Sequence, residues 1–155
     1  MENAKPIGTP MHPNSRLNKD ETEKDVDKTM YRSMIGSLMY LTSSRSDIVQ
    51  NIGVYSRFQS QPKESHLSAV KRIIRYVHGT SNYSLWYPRS DKFSTVGYCD
   101  ADFAGDIIDR RSTYGICYFL GYSLNVWSSK KQSTVALSTA EAEYIAASFC
   151  CSQLL

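Results

Sequence analysis

The hydrophobic pattern of this chain changes from a helical period to a strand period at Gly79. Between residues 31 and 78, apolar side chains recur at intervals of three and four, which is the spacing of a helix with one face against a core. Beyond Gly79, apolar and polar residues alternate, which is the spacing of a strand with one covered face. The pattern therefore predicts a helical unit followed by a sheet.

Three amphipathic helices are predicted in the first part of the chain. Gly36 weakens the first, Asp47 is placed to cap the second, and Pro62 suits the start of the third. Gly79 ends the third helix, as a C-terminal glycine commonly does. The apolar positions that define the helices are Tyr31, Ile35, Leu38 and Met39, then Ile48, Ile52, Tyr55 and Phe58, and finally Leu67, Val70, Ile74 and Val77.

The second part of the chain alternates as strands do. Strands are predicted at residues 84–87, 93–100, 114–120 and 124–127, and the short link at Gly121 makes the last two a hairpin. By parity, Val96, Tyr98 and Asp100 share one face. Ser138 and Glu141 form a capping box that opens a final helix. Its apolar positions are Ala140, Tyr144, Ala147 and Cys151.

Composition narrows the class of protein. The chain has 155 residues, 41% hydrophobic and 21% charged, which is typical of a globular protein. Its four cysteines show no Cys-x-x-Cys spacing, which favours reduced thiols in an intracellular protein, cytoplasmic or nuclear. Neither a signal peptide nor a stretch of roughly 18 apolar residues for a membrane span is present.

Charge is unevenly distributed along the chain. Residues 1–30 carry net charge −1, residues 31–92 carry +6, and residues 93–155 carry −2. A basic middle beside an acidic end suits a nucleic-acid track that leads to a metal-binding carboxylate cluster. The alternative is that the excess of Lys and Arg is only a solvated helical surface.

Carboxylates gather where the second predicted strand ends. Asp100 closes this strand, Asp102 and Asp106 follow in the next turn, and Glu143 lies in the first turns of the final helix. Mg²⁺ prefers such oxygen ligands and is often held by one or two carboxylates together with phosphate oxygens. Glu141 competes with Glu143, but the capping box gives it a structural role. The alternative interpretation of the three aspartates is an acidic, solvated turn.

Two polar segments are candidates for nucleic-acid contacts. Arg110 and Arg111 follow the acidic turn and suit phosphate, although they equally suit a surface ion pair. Residues 128–134 form a predicted loop whose hydroxyl, ammonium and amide groups suit sugar and phosphate. The candidate contacts in that loop are Ser129, Lys130, Lys131 and Gln132. The aromatic residues Tyr83, Trp86, Tyr87 and Tyr98 could stack on bases, but aromatics near strand ends are more often core.

Several motifs together resemble a known family. Residues 97–106 (GYCDADFAGD), 109–113 (DRRST), 127–132 (WSSKKQ) and 138–144 (STAEAEY) resemble the start of the ribonuclease H domain in copia-type retrotransposon Pol polyproteins. Upstream, residues 31–41 (YRSMIGSLMYL), 45–48 (RSDI) and 66–80 (HLSAVKRIIRYVHGT) resemble the segment that connects reverse transcriptase to that domain. The order of the motifs matches the family from about residue 30 onward.

The resemblance implies a fold and a chemistry. The fold would be α+β: a linker over residues 1–29, a helical connection over 30–92, and a truncated ribonuclease H-like β-β-β-α half domain over 93–155. The activity would be Mg²⁺-dependent hydrolysis of RNA in an RNA–DNA hybrid at a two-ion site. Asp100 and Glu143 would be its first two catalytic and metal-binding carboxylates, with Asp102 and Glu141 in supporting roles.

The chain also departs from the family pattern. The third aspartate of the family's site, a later carboxylate or histidine, and the reverse transcriptase palm have no counterpart in the sequence. Loss of members of a cooperative site is strongly non-additive in rate, so little or no activity is expected of the chain alone. The expected partners are an RNA–DNA hybrid or other nucleic acid and the rest of a Pol polyprotein, with no membrane. The alternatives are a non-catalytic nucleic-acid-binding fragment and an inert relic.

Overall fold

The chain forms two units, one on either side of Ser84. The structure is a computed structural model that describes residues 4–12, 17, 22–89, 91 and 93–154. Residues 1–84 form the first unit and residues 85–155 the second. The architecture is mixed α+β, as the sequence predicts, with helices in the first unit and a sheet covered by one helix in the second. None of the helices in the described part of the chain has the length and apolar character needed to span a bilayer.

Three helices build the first unit and confirm the helical pattern. They are α1 (Lys28–Leu41), α2 (Val49–Tyr55) and α3 (Glu64–Gly79), with 3₁₀ turns at Ser46–Ile48 and Ser56–Phe58 on either side of α2. In α3 the fully buried face is turned by one residue from the predicted one, because Ile73 and Tyr76 are buried while Ile74 and Val77 lie at the margin. The core consists of Tyr31, Ile35, Leu38, Ile48, Ile52, Tyr55, Leu67, Val70, Ile73 and Tyr76.

The end of α3 is fixed by a close approach rather than by a left-handed glycine. Gly79 is the last helical residue, and the following Thr80 has φ −127°. A Cβ at Gly79 would lie 2.8 Å from the Cβ of Pro6. Gly79 therefore gives the N-terminal segment room to lie against the helix end.

The N-terminal segment, predicted as a linker or tail, is attached to the helices where it is described. Asp25 forms an isolated bridge with Lys63, and the two side chains form an ion pair at 2.9 Å. Lys63 is itself buried, and its ammonium group also donates to the Glu23 carbonyl. The prediction of a linker falls partly on residues outside the described ones.

Asp47 does not cap α2, contrary to the sequence-based prediction. Its carboxylate accepts two hydrogen bonds from Arg45, at 2.9 and 2.7 Å, and one from the Tyr76 hydroxyl at 2.7 Å. Arg45 also donates to the carbonyl and the hydroxyl of Thr80. This pair, with Arg45 buried and Asp47 partly buried, joins the α1–α2 connection to the end of α3. Asp47 does not cap α2 because its charge-assisted bidentate bonds to Arg45 are stronger than a bond to a neutral N–H.

A three-stranded antiparallel sheet with the order β1-β2-β3 forms the second unit. Its strands are β1 (Thr95–Asp102), β2 (Thr113–Leu120) and β3 (Ser123–Lys131), and α4 (Thr139–Leu154) follows. The predicted strand at residues 84–87 is wrong, since these residues form no regular element. The predicted loop at 128–134 is partly wrong as well, because β3 continues to Lys131.

The helix α4 packs on one face of the sheet through small side chains. Its buried residues are Ala142, Ala146 and Cys150, so the predicted face with Tyr144 is wrong, and Tyr144 is exposed. A Cβ at Gly97 would come within 2.9 Å of Cys150 Sγ. Small residues on both elements bring the helix close to β1, and this approach positions the carboxylates described below.

Candidate metal-binding carboxylate site

The strand β1 presents Asp100 on the sheet face that α4 leaves open. Cys99 and Ala101 pack toward the core beneath α4, so Asp100 between them points to the other face and is exposed. The residue opposite it on β2 is Gly115, and the residue opposite Gly115 on β3 is Ser129. A Cβ at Gly115 would meet nothing within 4 Å, so the surface beside Asp100 is open.

The first turn of α4 brings Glu143 to the same strand. Ser138 accepts a hydrogen bond from the Glu141 N–H at 3.2 Å, which confirms half of the predicted capping box. The Glu141 carboxylate accepts from the Leu137 N–H at 2.7 Å, one residue before the cap. Glu141 is therefore occupied at the helix start, and Glu143 is the carboxylate that reaches the sheet.

Glu143 contacts the backbone of β1 at the residue that follows Asp100. The Glu143 carboxylate accepts a hydrogen bond from the Ala101 N–H at 3.2 Å, and Ala101 directly follows Asp100. Sequence analysis could not find Ala101 as this partner, because a backbone donor leaves no signal in residue identity. The structure thus brings Glu143 to the residue next to Asp100, although the two acidic residues lie 43 positions apart in the chain.

The other two aspartates of the acidic turn lie in different surroundings. Asp102 is exposed at the end of β1, and a Cβ at Gly105 would overlap its carboxylate. Asp106 has a largely buried side chain and forms an ion pair with Lys131 at 2.6 Å. Asp106 is therefore neutralised inside the protein, whereas Asp102 remains at the surface near Asp100.

The pairing of Asp106 organises the loop between β1 and β2. Its carboxylate accepts from the Ile108 N–H at 2.9 Å and from the Asp109 N–H at 3.4 Å. Burial alone would raise the pKa of Asp106, but Lys131 and the two backbone donors outweigh it and lower the pKa to about 2. Arg110 adopts φ 56° in this loop, a conformation that the surrounding bonds must hold in place.

Replacing Asp106 by Asn should destabilise the second unit at neutral pH. The lowered pKa corresponds to roughly 2 kcal/mol of stability. Because the folded-state pKa lies below the ordinary value of 3.8, this contribution is complete above about pH 4 and disappears as the pH falls toward 2. Urea unfolding of both proteins at pH 7 and pH 2 measures it, and equal differences at the two pH values would contradict the pairing.

The predicted nucleic-acid contacts separate into two groups. Arg110 and Lys130 are exposed, and Ser129 lies in the same cross-strand row as Asp100. Lys131, in contrast, is bonded to Asp106 and to Asp109, at 2.6 and 2.7 Å. Arg111 Nε lies 3.6 Å from Asp109 Oδ2, so Arg111 is only loosely paired.

Gln132 does not have the role that the sequence suggests. Its side chain is buried, and its amide Nε2 donates to the Ala142 carbonyl at 2.9 Å. The backbone N–H of Gln132 donates to the Ser112 carbonyl at 2.8 Å. Gln132 therefore ties the end of β3 to the first turn of α4, and it positions the helix instead of contacting a ligand.

The four aromatic residues considered for stacking are exposed rather than part of a core. Their exposed fractions are 58% for Tyr83, 81% for Trp86, 56% for Tyr87 and 61% for Tyr98. The expectation that they belong to the core was therefore wrong. Tyr98 stands on the same face as Asp100, beside Phe119 with a ring distance of 5.9 Å.

Asp100 and Glu143 are the candidate ligands for a metal ion. Asp100 and Glu143 provide hard oxygen ligands, which match the preference of Mg²⁺. Among the residues that the structure describes, no group of three or more His, Cys, Asp or Glu side chains could hold a metal ion. An ion held by these two residues would have to take its remaining ligands from water, from phosphate oxygens or from further carboxylates.

Comparison with known proteins finds similar segments in retrovirus-related Pol polyproteins. The chain is 44% identical over 144 residues to the retrovirus-related Pol polyprotein from transposon RE1 of Arabidopsis thaliana, which covers 93% of this chain and 10% of that protein. It is 44% identical over 154 residues to the corresponding polyprotein from transposon TNT 1-94 of Nicotiana tabacum, with 95% and 12% covered. The chain thus spans about a tenth of the length of these relatives.

A shorter relative aligns over most of its own length. Secreted RxLR effector protein 161 of Plasmopara viticola is 45% identical over 119 residues, which are 76% of this chain and 84% of that protein. No protein-family model matches the chain, and no solved structure gives a significant match.

Proposed function

Because the chain belongs to the Pol polyproteins of copia-type retrotransposons, we propose that its second unit is part of a ribonuclease H-like domain. In this proposal the domain hydrolyses RNA in RNA–DNA hybrids. The observation that carries it is the hydrogen bond from the Ala101 N–H to the Glu143 carboxylate, which holds Glu143 next to Asp100 along β1. The order of three antiparallel strands followed by a helix is compatible with the first half of such a domain.

The metal ion would be Mg²⁺, held by Asp100 and Glu143. When bound, it supplies activation of water and stabilisation of the charge that develops on the phosphate and leaving oxygen. Asp100 is exposed on an open face, so its carboxylate can take a ligand without a rearrangement of the core. Glu143 is held near β1 by the Ala101 N–H, and it would exchange this hydrogen bond for the metal ion.

The same sheet face offers a surface for the hybrid. Gly115 next to Asp100 leaves room for a sugar–phosphate backbone, and the Ser129 hydroxyl lies one strand further along the row. Exposed Arg110, in the loop after β1, supplies positive charge for phosphates, which position a nucleic acid without reading its sequence. Lys130 is exposed too, but it lies in the row of Ala101 and Tyr114 on the opposite face. Lys131 and Gln132 are left out of this surface, since both are bonded within the unit.

The activity is tested most sharply within a longer relative. The aligned segment of the tobacco TNT 1-94 polyprotein is replaced by this chain, and cleavage of a labelled RNA–DNA hybrid is measured in Mg²⁺ beside the unmodified polyprotein. We expect the chimera to cut the RNA strand of the hybrid and to leave single-stranded RNA intact. The isolated chain should cut little, because two carboxylates leave the ligand set incomplete.

Two outcomes would decide against the proposal. If the unmodified polyprotein cleaves hybrid and a folded chimera does not, the second unit does not carry the activity. Binding of hybrid by the isolated chain, with no cleavage by the chimera, would favour a non-catalytic nucleic-acid-binding role. Circular dichroism of the chimera shows whether it is folded.

A further inference from the structure

A cavity in the first unit is lined by positive charge. It lies between the N-terminal segment and α3, and its volume is about 620 Å³. Lys71, Arg72 and Arg75 line it together with His12, and none of the described lining residues is an Asp or Glu. This volume is typical of pockets that hold small molecules.

Neutral partners hold two of the cations in place. Arg72 donates from Nε to the Thr9 carbonyl at 3.1 Å and from Nη2 to the Thr9 hydroxyl at 2.7 Å. Arg75 donates from Nε to the Lys5 carbonyl at 2.8 Å. These acceptors carry no charge, so they fix the guanidinium groups without neutralising them. The cavity is therefore a preorganised positive site.

A buried hydroxyl at the cavity lacks a hydrogen-bond partner. Tyr55 lines the cavity and is 1% exposed, and its hydroxyl oxygen has no partner in the described structure. Its neighbour Tyr31, in contrast, donates its hydroxyl to the Tyr55 carbonyl at 2.9 Å. A buried polar group without a partner costs free energy, which a ligand acceptor at this point would recover.

We propose that this cavity binds a phosphate group, with Lys71, Arg72 and Arg75 supplying charge and the Tyr55 hydroxyl donating a hydrogen bond. Phosphate combines negative charge with several acceptor oxygens, as this lining requires. The phosphate belongs either to a free ion or to the end of a nucleic-acid strand. The site lies wholly within the first unit and does not depend on Asp100 or Glu143.

Tyr55→Phe provides the most specific variant, because it removes only the hydroxyl. Without phosphate, we expect its melting temperature to equal or exceed that of the wild type, since a buried unpaired group has been removed. Addition of inorganic phosphate should raise the melting temperature of the wild-type chain in a saturable manner. In Tyr55→Phe this rise should be largely lost.

Lys71→Gln tests the charge, and Lys28→Gln is its matched control. Lys28 is exposed at the start of α1 and does not line the cavity. By calorimetric titration with inorganic phosphate, we expect Lys71→Gln to weaken binding by roughly tenfold or more and Lys28→Gln to leave it unchanged. Short oligonucleotides with and without a 5′ phosphate distinguish the two sources, since only a strand-end site prefers the phosphorylated one.

The proposal is overturned by any of three results. The first is the absence of saturable phosphate binding to the wild type. The second is equal binding by wild type, Tyr55→Phe and Lys71→Gln. The third is binding of unphosphorylated oligonucleotide while phosphate has no effect, which would mean a basic surface and no phosphate site.

Discussion

Replacing Asp100 by Asn in the active chimera is expected to lower the rate of hybrid cleavage by at least about a thousandfold, because the loss of a metal-binding carboxylate removes several kcal/mol of transition-state stabilisation. Asn keeps the size and polarity of the side chain but removes its charge. Since Asp100 is exposed and no described core contact depends on it, the fold should be unaffected. Single-turnover cleavage with saturating Mg²⁺ measures the effect.

Glu143→Gln should reproduce the same loss, and Glu141→Gln is its matched control. Both glutamates lie in the first turns of α4, but Glu141 bonds to the Leu137 N–H and Glu143 bonds to the Ala101 N–H. A glutamine oxygen can keep the first of these bonds, so Glu141→Gln should retain activity within about tenfold. Equal loss in both variants would assign the effect to helix stability and would contradict the site.

Replacing Arg45 by Met should destabilise the first unit by about 1–3 kcal/mol, because it leaves the partly buried carboxylate of Asp47 without its counter-charge and the Thr80 acceptors without their donor. Arg45 makes four hydrogen bonds, two to Asp47 and two to Thr80, and its side chain is 9% exposed. Urea unfolding followed by circular dichroism at pH 7 measures the change. A change within about 0.5 kcal/mol, the range of ordinary surface substitutions, would show that the network is not essential.

The same network has a pH dependence of known sign. The hydrogen bonds from Arg45 are the largest cause that lowers the pKa of Asp47, against the effect of burial. Stability from this pair is complete above the ordinary carboxylate pKa of 3.8 and is lost as the pH falls through the lowered folded value. Arg45→Lys keeps the charge but not the bidentate geometry, and it should therefore recover only part of the stability.

The sequence correctly predicts the helices and the strand that depend only on the spacing of apolar residues. The three helices of the first unit and the alternation of β1 follow from apolar spacing, and both are present. Residues 84–87 alternate too, yet they form no strand. The prediction fails here because alternation within a segment cannot show whether a partner strand lies within hydrogen-bonding distance. The buried face of α4 was misjudged because small residues, not large ones, contact the sheet beside Gly97.

The candidate site is predictable in its residue types but not in its contacts. A strand-end Asp100 and a helix-start Glu143 are visible in the sequence, since a capping box and a strand period place them. The contact that brings Glu143 to β1 next to Asp100 is made to a backbone N–H. The burial of Gln132 and the pairing of Lys131 with Asp106 also depend on tertiary packing, which local spacing does not encode.

The most direct test of the central claim, that Asp100 and Glu143 form one metal-binding pair, is a titration of the chain with Mg²⁺ and Mn²⁺ followed by amide NMR. We predict that Mn²⁺ first broadens the resonances next to Asp100 and Glu143, and that excess Mg²⁺ restores them. The Ala101 amide should shift with Mg²⁺ as Glu143 turns to the metal, and Asp100→Asn should abolish both effects. Broadening centred on another part of the chain, or unchanged by Asp100→Asn, would contradict the account.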